Sequence, residues 1–195
     1  ITNGHGDLGA DTIRTVTIPH LALFLPLDSV SMLASSLEMR IVKRGAAPLG
    51  GGEIFFRAPL IATLRPLNFV EPGRIRKIRG IASAVRVSPQ MSNRMIDAAR
   101  SVLNRYIPDL YLFSDVYRGD ESGKSPGFAM SLVATSTTGA MHASETTSLP
   151  GQTPEDVGLL TARSLLASIE SGGCVDAMHQ PLILILMALG PEDVA

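Results

Sequence analysis

The sequence is poor in the residues that mark several common kinds of site. It has one cysteine, Cys174, so it forms no internal disulfide and no cysteine-based zinc cluster. Its 17 basic and 18 acidic residues leave a formal net charge of −1. The whole chain therefore lacks the basic charge typical of nucleic-acid-binding domains. Any contact with RNA must come from a local patch.

Long apolar runs are also missing. The longest, Pro181 to Leu189, is about half of the roughly 20 residues needed to cross a bilayer. We therefore expect no membrane contact and place this run in the core. The 45% hydrophobic content is enough to fill the core of one large or two small domains.

The most distinctive motif that the sequence contains is a run of three consecutive glycines. The run at 50–52 follows Pro48 and a basic pair. Without Cβ atoms, this backbone can take positive φ and let an anion or another backbone approach its amides. Residues 36–43 and 53–60 on either side have the composition of strands. The sequence predicts a hairpin with a long glycine loop, which either holds a phosphate or only turns the chain.

Helical and strand patterns alternate along the rest of the chain. The helical patterns are residues 11–24 with a kink at Pro19, a helix that starts at Ser88-Pro89, and one that starts at Thr153 and stops at Gly172-Gly173. The strand patterns are residues 109–116, 127–134 and 139–146. This alternation predicts an α/β or α+β architecture with helices packed on sheets.

The helix that starts at Ser88-Pro89 has an amphipathic pattern. Its arginines fall on one side, which we expect to be solvated. The residues predicted for its buried face are Met91, Met95, Ala98, Val102 and Tyr106.

The densest positive charge is a basic strip formed by Arg74, Arg76, Lys77 and Arg79, interleaved with isoleucines and followed by Arg86. In an extended strand the first two cations would share one face and the last two the other, unless the strand bulges. Such a strip either contacts RNA phosphates or an acidic partner, or it guards a solvated sheet edge.

The segment 119–125 ends in Gly-Lys-Ser without being a P-loop. Only three residues separate its first glycine from the Gly-Lys pair, and Pro126 stands where the helix should begin. Two interpretations remain. Arg118 and Lys124 either offer cations to RNA or to an acidic partner, or belong to a solvated turn that also carries acidic residues.

The histidines and carboxylates show no catalytic or metal-binding spacing. His5, His20 and His142 are scattered. His179 has no paired base and is predicted to be a core or helix-end residue. We therefore predict no catalytic residue, no metal ion and no cofactor.

One family signature covers the glycine loop. Its fixed positions are Arg44, Gly45, Pro48, Gly50, Gly51 and Gly52. Further stretches match at Arg79–Ala82, Val85–Pro89, Ser122–Phe128, Gly172–Asp176 and Leu186–Gly190. On these residues the chain resembles the RNA 3'-terminal phosphate cyclases, and within them the eukaryotic cyclase-like branch. The resemblance runs over nearly the whole chain and is weakest near its start.

The resemblance implies a fold. It is α/β (α+β), with βαβαββ repeat units of the cyclase and enolpyruvyl-transferase type and a small thioredoxin-like α/β insert domain. On this basis we assign 1–80 to part of the large domain, 81–147 to the insert and 148–195 to the return into the large domain. We also expect the chain to be an interior portion of a longer protein.

The resemblance also implies a function. The cyclase-like branch is known as a nucleolar ribosome-assembly factor. We therefore expect a noncatalytic factor in small-subunit (18S) pre-rRNA processing, with pre-ribosomal RNA, the small-subunit precursor particle and a nucleolar GTPase as partners.

The cyclases carry AMP on a histidine near their C-terminal end, at a position beyond Ala195. His179 stands where they tend to have an acidic residue, which counts against a nucleotide site. An ATP-dependent RNA 3'-terminal phosphate cyclase and a pre-rRNA endonuclease are the alternatives.

Overall fold

The computed structural model describes residues 1–4, 6–26 and 37–191. His5 and the predicted start of the first strand at Ser36 lie outside these residues. The strands are β1 (Glu38–Lys43), β2 (Glu53–Arg57), β3 (Ile75–Val85), β4 (Leu110–Tyr117), β5 (Gly127–Ser136) and β6 (Met141–Thr147). The first helical segment, α1, is α-helical at Ala10–Thr12, π-helical at Ile13–Thr17 and α-helical again at Ile18–Ala22. The other helices are α2 (Gln90–Leu103), α3 (Pro154–Ser171) and α4 (Gln180–Leu189).

The central sheet has the strand order β4-β3-β5-β6. β3 pairs parallel with β4, while β5 runs antiparallel to both β3 and β6. The parallel pair needs a crossover, which α2 provides between β3 and β4. β5 and β6 form a hairpin that turns at Gly139, whose φ is +93°. The predicted mixed α/β fold is confirmed, and the order of the sheet is that of a thioredoxin-like domain.

One face of the sheet is covered by α2 and α3. Ile78 and Ala82 of β3 and Leu132 of β5 pack there against Met95 and Leu165, and all five side chains are buried. The predicted start of α3 at Thr153 is confirmed and takes the form of a capping box: the Thr153 side chain accepts from the Asp156 N–H, and the Asp156 side chain accepts from the Thr153 N–H. Gly172 ends the helix with φ +73°.

The face predicted for α2 was partly wrong. The buried hydrophobic residues are Met95, Ile96, Ala99 and Leu103, while Tyr106 is exposed. Ile96, Ala99 and Leu103 are buried because they pack in the core with residues of β3, β5 and α3.

The other face of the sheet is partly covered by α1. Val16 packs on Val133 and Ala143. The Thr12 hydroxyl lies 3.1 Å from the Ser131 hydroxyl and also donates to the Glu145 carboxylate, which accepts the Gly9 N–H at 2.5 Å. Burial raises the pKa of Glu145, and these two hydrogen bonds oppose the rise. α1 is therefore fixed over β5 and β6.

The predicted hairpin of β1 and β2 is confirmed as a separate antiparallel pair with an irregularity between Ile41 and Lys43.

The prediction that the run 181–189 belongs to the core was wrong. Of α4, only Ile183 is buried, while Leu184 and Leu189 are exposed. Its inner side packs on Phe24 and Leu67. In the described ranges, no helix has both the length and the apolar character needed to cross a bilayer.

Candidate functional site

The signature arginine is the centre of a buried ion network. Arg44 lies at the end of the hairpin strand β1 and has no exposed surface. Its Nη1 and Nη2 donate to the two carboxylate oxygens of Asp11 at 2.6 and 2.8 Å. Its Nε and Nη2 donate to Oδ2 of Asp115 at 3.0 and 2.6 Å. One guanidinium therefore joins β1 to α1 and to β4.

The planar fork of an arginine suits this network, because it offers several donors in fixed directions. Burial alone would lower the pKa of Arg44, but the hydrogen bonds and charges of Asp11 and Asp115 raise it above the ordinary value. The guanidinium stays charged, and the carboxylates of Asp11 and Asp115 balance its charge. Arg44 therefore forms ion pairs that stabilise the structure.

The glycine loop is closed by the backbone of a second loop, residues 119–126. The Gly123 N–H donates to the Arg44 carbonyl at 2.5 Å, and the Lys124 N–H donates to the Gly50 carbonyl at 3.0 Å. The Leu49 N–H donates to the Ser125 hydroxyl at 3.0 Å. The glycine loop thus binds the second loop through the carbonyls of Arg44 and Gly50 and through the Leu49 N–H.

The absence of side chains is what allows this approach. A Cβ built on Gly123 would stand 2.0 Å from the Gly50 oxygen, and one on Gly45 would stand 2.3 Å from the Gly52 nitrogen. Gly51 has φ +82°, and its Cβ would stand 3.2 Å from the Gly123 Cα. Of the two groups that this glycine-rich backbone could let approach, an anion or another backbone, the second fits these distances. Pro48 lies in the same loop, after a cis peptide bond.

The cations of the basic strip differ in whether they form a salt bridge with a carboxylate among the described residues. Arg74 and Arg76 are exposed at the start of β3, and Lys77 is half-buried. Arg79 pairs with Asp109 at 2.9 Å, and its guanidinium lies 4.8 Å from the centroid of the Tyr111 ring. The pairing of β3 with β5 is irregular between residues 75 and 77. The structure therefore brings Lys77 and Arg79 to one cavity, which Arg74 and Arg76 do not line.

The remaining candidate cations lie around the second loop. Arg86 has φ +53° and donates from Nε to the Gly123 carbonyl at 2.5 Å, so it positions this loop. Arg118 and Lys124 are exposed. Residues Gly119–Glu121 form a single 3-10 turn and the segment leads into strand β5. The prediction that it is not a P-loop is confirmed, since a P-loop leads into a helix.

Sequence reasoning missed a buried histidine network. Nδ1 of His179 lies 2.8 Å from an Asp176 carboxylate oxygen, and Nε2 lies 2.9 Å from the Thr17 hydroxyl. Asp176 also accepts the Ala143 N–H at 2.9 Å. Burial would raise the pKa of Asp176, but the His179 and backbone hydrogen bonds hold it below the ordinary value.

A second histidine completes this buried group. The ring of His20 lies 5.3 Å from that of His179, and its nitrogens have no hydrogen-bond partner among the described residues. Burial, and then the nearby His179, lower the pKa of His20 to about 4. Both histidines are fully buried. Through its hydrogen bonds, the group connects α1, β6 and the start of α4. The prediction that His179 is a core or helix-end residue is confirmed.

No group of three or more His, Cys, Asp or Glu residues is arranged for a metal ion in the part of the chain that the structure describes.

Comparisons with known proteins identify relatives over the whole chain. The family model for the insert domain of RNA 3'-terminal phosphate cyclase matches residues 70–170. The "RNA 3'-terminal phosphate cyclase-like protein" of Bos taurus is 46% identical over 200 residues, which are 100% of this chain and 52% of that protein. The "rRNA processing protein rcl1" of Schizosaccharomyces pombe is 47% identical over 195 residues, again 100% and 52% of the two chains.

The chain thus spans about half the length of these curated relatives. The matched insert is wider than the range 81–147 assigned from the sequence, and β3 runs without a break through residue 80. The assigned limits stay a prediction.

Replacement of Arg44 by lysine tests the ion network. Lysine keeps the charge but cannot bridge both carboxylates, so Arg44→Lys should lower the free energy of unfolding by about 2–4 kcal/mol. The measurement is urea unfolding of the full-length protein. Arg94→Lys, at the exposed pair with Glu155, is the control and should change stability little. Equal effects of the two substitutions would contradict the structural role of Arg44.

A single methyl group tests the contact between the two loops. Gly123→Ala should destabilise the protein by about 1–3 kcal/mol, because the added carbon overlaps backbone that cannot move aside easily. Gly4→Ala, whose Cβ would meet only Ile1 at 3.6 Å, is the control and should be nearly neutral. Thermal unfolding compares the two. A neutral Gly123→Ala would mean that the loops are apart in solution.

Proposed function

Because the chain belongs to the RNA 3'-terminal phosphate cyclase family, we propose that its protein is a noncatalytic factor in small-subunit (18S) pre-rRNA processing. The observation that carries this proposal is the similarity over the whole chain to a relative named as an rRNA processing protein and to several named cyclase-like. The proposed site of action is the nucleolus. The proposed partners are pre-ribosomal RNA, the small-subunit precursor particle and a nucleolar GTPase.

The geometry of the signature loop supports the noncatalytic part of the proposal. Arg44 is neutralised by two carboxylates, and the glycine run contacts Gly123 and Lys124. These residues stabilise the fold without offering an open phosphate site. The alternative is an ATP-dependent RNA 3'-terminal phosphate cyclase, in which a histidine takes AMP from ATP.

The free part of the basic strip supports contact with RNA. Arg74, Arg76 and Lys77 form no salt bridge with any residue in the described ranges, although the charges of Lys77 and Arg76 help to lower the pKa of Asp109, after the larger effect of Arg79. Cations without a protein counter-ion attract phosphates and release the ions condensed on them. We therefore place a phosphate contact of the proposed factor at the start of β3.

An adenylylation assay separates the two functions. The full-length protein is incubated with radiolabelled ATP and magnesium beside an active RNA 3'-terminal phosphate cyclase as positive control. We expect no stable protein–AMP band, because the proposed factor is noncatalytic; His179 is not open to AMP either, since it is buried and paired with Asp176. A band that disappears when one histidine is substituted would support the enzyme and contradict the proposal.

Charge reversal tests the RNA contact. Changing Arg74, Arg76 and Lys77 to Glu should weaken RNA binding by about tenfold or more and flatten the salt dependence by roughly one to two units. The matched control reverses Arg100, Arg105 and Arg163, which are exposed beside or on α2 and α3.

Affinities are measured by fluorescence anisotropy at several salt concentrations. If RNA binding survives the reversal while association with a GTPase is lost, the strip is a protein interface. If neither changes, the strip only guards the end of the sheet.

A further inference from the structure

Two exposed aromatic rings lie on the sheet face that α1 leaves open. Tyr111 and Phe113 alternate with buried Leu112 along the edge strand β4 and are 58% and 56% exposed. In the register of β3 and β4, Arg79 stands beside Tyr111 and Ile81 beside Phe113. Together with Lys77, these residues form what we call the aromatic-basic face. Large exposed rings in such a cluster mark an interaction site.

The face is concave, because α1 rises along one side of it. A cavity of about 430 Å³ is lined by Thr15 of α1, by Lys77 and Arg79 of β3, by Phe113, and by residues of β5 and β6. A second hollow of about 340 Å³ lies on the other side of Phe113 and includes Arg14 and Tyr117. Both volumes are in the range of about 300–1,000 Å³ found for small-molecule sites. Phe113 therefore separates two adjoining compartments along one groove.

The charge along the groove favours a polyanion. Lys77 has no salt-bridge partner among the described residues, and Arg74 and Arg76 extend the positive charge toward the start of β3. The carboxylate of Asp115 at the far end is already bound by Arg44. Asp109 neutralises part of the charge of Arg79, but this pair lies on the surface, and each of the two side chains is more than a third exposed.

We propose that the aromatic-basic face binds single-stranded RNA, with bases stacked on Tyr111 and Phe113 and phosphates contacted by Lys77 and Arg79. Aromatic rings interleaved with cations on a four-stranded sheet suit this ligand, because every unpaired base offers a face for stacking. Residues two apart on a strand lie about 6.6 Å from each other, so the rings serve neighbouring nucleotides of an extended strand. A duplex hides the faces of its bases and cannot use the rings.

This inference rests on the proposed function and specifies the form of RNA and the mode of contact. The basic strip alone would bind single and double strands through phosphates without distinction. The rings add a preference for unpaired nucleotides. An acidic or apolar protein partner would use the same rings without a dependence on nucleotide stacking.

Removal of the two rings tests the proposal. Tyr111→Leu with Phe113→Leu keeps apolar volume and removes the stacking surface. The probes are a fluorescent 12-nucleotide oligouridine and an RNA duplex of equal length, titrated onto the full-length protein. We expect about tenfold or greater loss of affinity for the single strand, with an unchanged salt slope and little change for the duplex. Tyr106→Leu, at an exposed ring beyond the end of α2, is the control and should bind normally.

Lys77→Gln should give the complementary result. It should reduce the salt slope for single-stranded RNA by about 0.7, as expected for one lost phosphate contact. Ultraviolet cross-linking of the unaltered protein to oligouridine provides a readout that does not depend on how a variant folds, and the cross-links should fall on Tyr111 or Phe113. Cross-links confined to other residues would overturn the proposal.

The remaining outcomes separate this inference from the proposed function. Single-strand affinity of the leucine variant within twofold of normal would overturn the inference, and loss of a protein partner with RNA binding intact would assign the face to that partner. Maturation of 18S rRNA is measured separately in cells depleted of the protein. Normal maturation there would reject the proposed function, even if the rings bind RNA.

Discussion

The guanidinium of Arg44 holds three separate parts of the chain in one arrangement. Asp11 belongs to α1 and Asp115 to β4, and Arg44 directly follows β1 and has no exposed surface. Loss of Arg44 would remove this counter-charge from the buried carboxylate of Asp11, and breaking a buried ion pair in this way typically costs about 3–5 kcal/mol. The same network sets the distance between α1 and β4, and these two elements border the groove of the aromatic-basic face. Arg44 thus supports the groove through Asp115 and through the Tyr117 ring, whose centroid lies 5.4 Å from its guanidinium carbon, and both of these residues line the second hollow.

The glycines act together with this network. Gly123 lies so close to the Gly50 carbonyl that the second loop could not carry a side chain at this contact. Arg86 supports the same loop through the Gly123 carbonyl. The signature residues therefore support the fold, and the exposed groups are the candidates for binding. These are the cations at the start of β3 that have no salt bridge among the described residues, and the rings of β4.

Local patterns predicted much of the fold, because strand alternation, the Thr153 capping box and the glycine stop at 172 depend on neighbours in sequence. Predictions that depended on tertiary packing were less accurate. The buried face of α2 is rotated toward α3, and α4 leaves most of its apolar surface uncovered among the described residues. Nothing local marks Asp11 and Asp115 as partners of Arg44. Tyr111 and Phe113 did give a signal, since they alternate with Leu110 and Leu112, but only the sheet register places them beside Arg79.

Backbone hydrogen bonds from the second loop close the signature loop without a nucleotide. Native-state hydrogen exchange measures this at the amides of Gly123 and Lys124, which donate to the Arg44 and Gly50 carbonyls. We expect slow exchange of both amides in the free protein, through large-scale opening only, with no change on addition of magnesium and ATP. Fast exchange in the free protein that becomes slow when magnesium and ATP are added would contradict it.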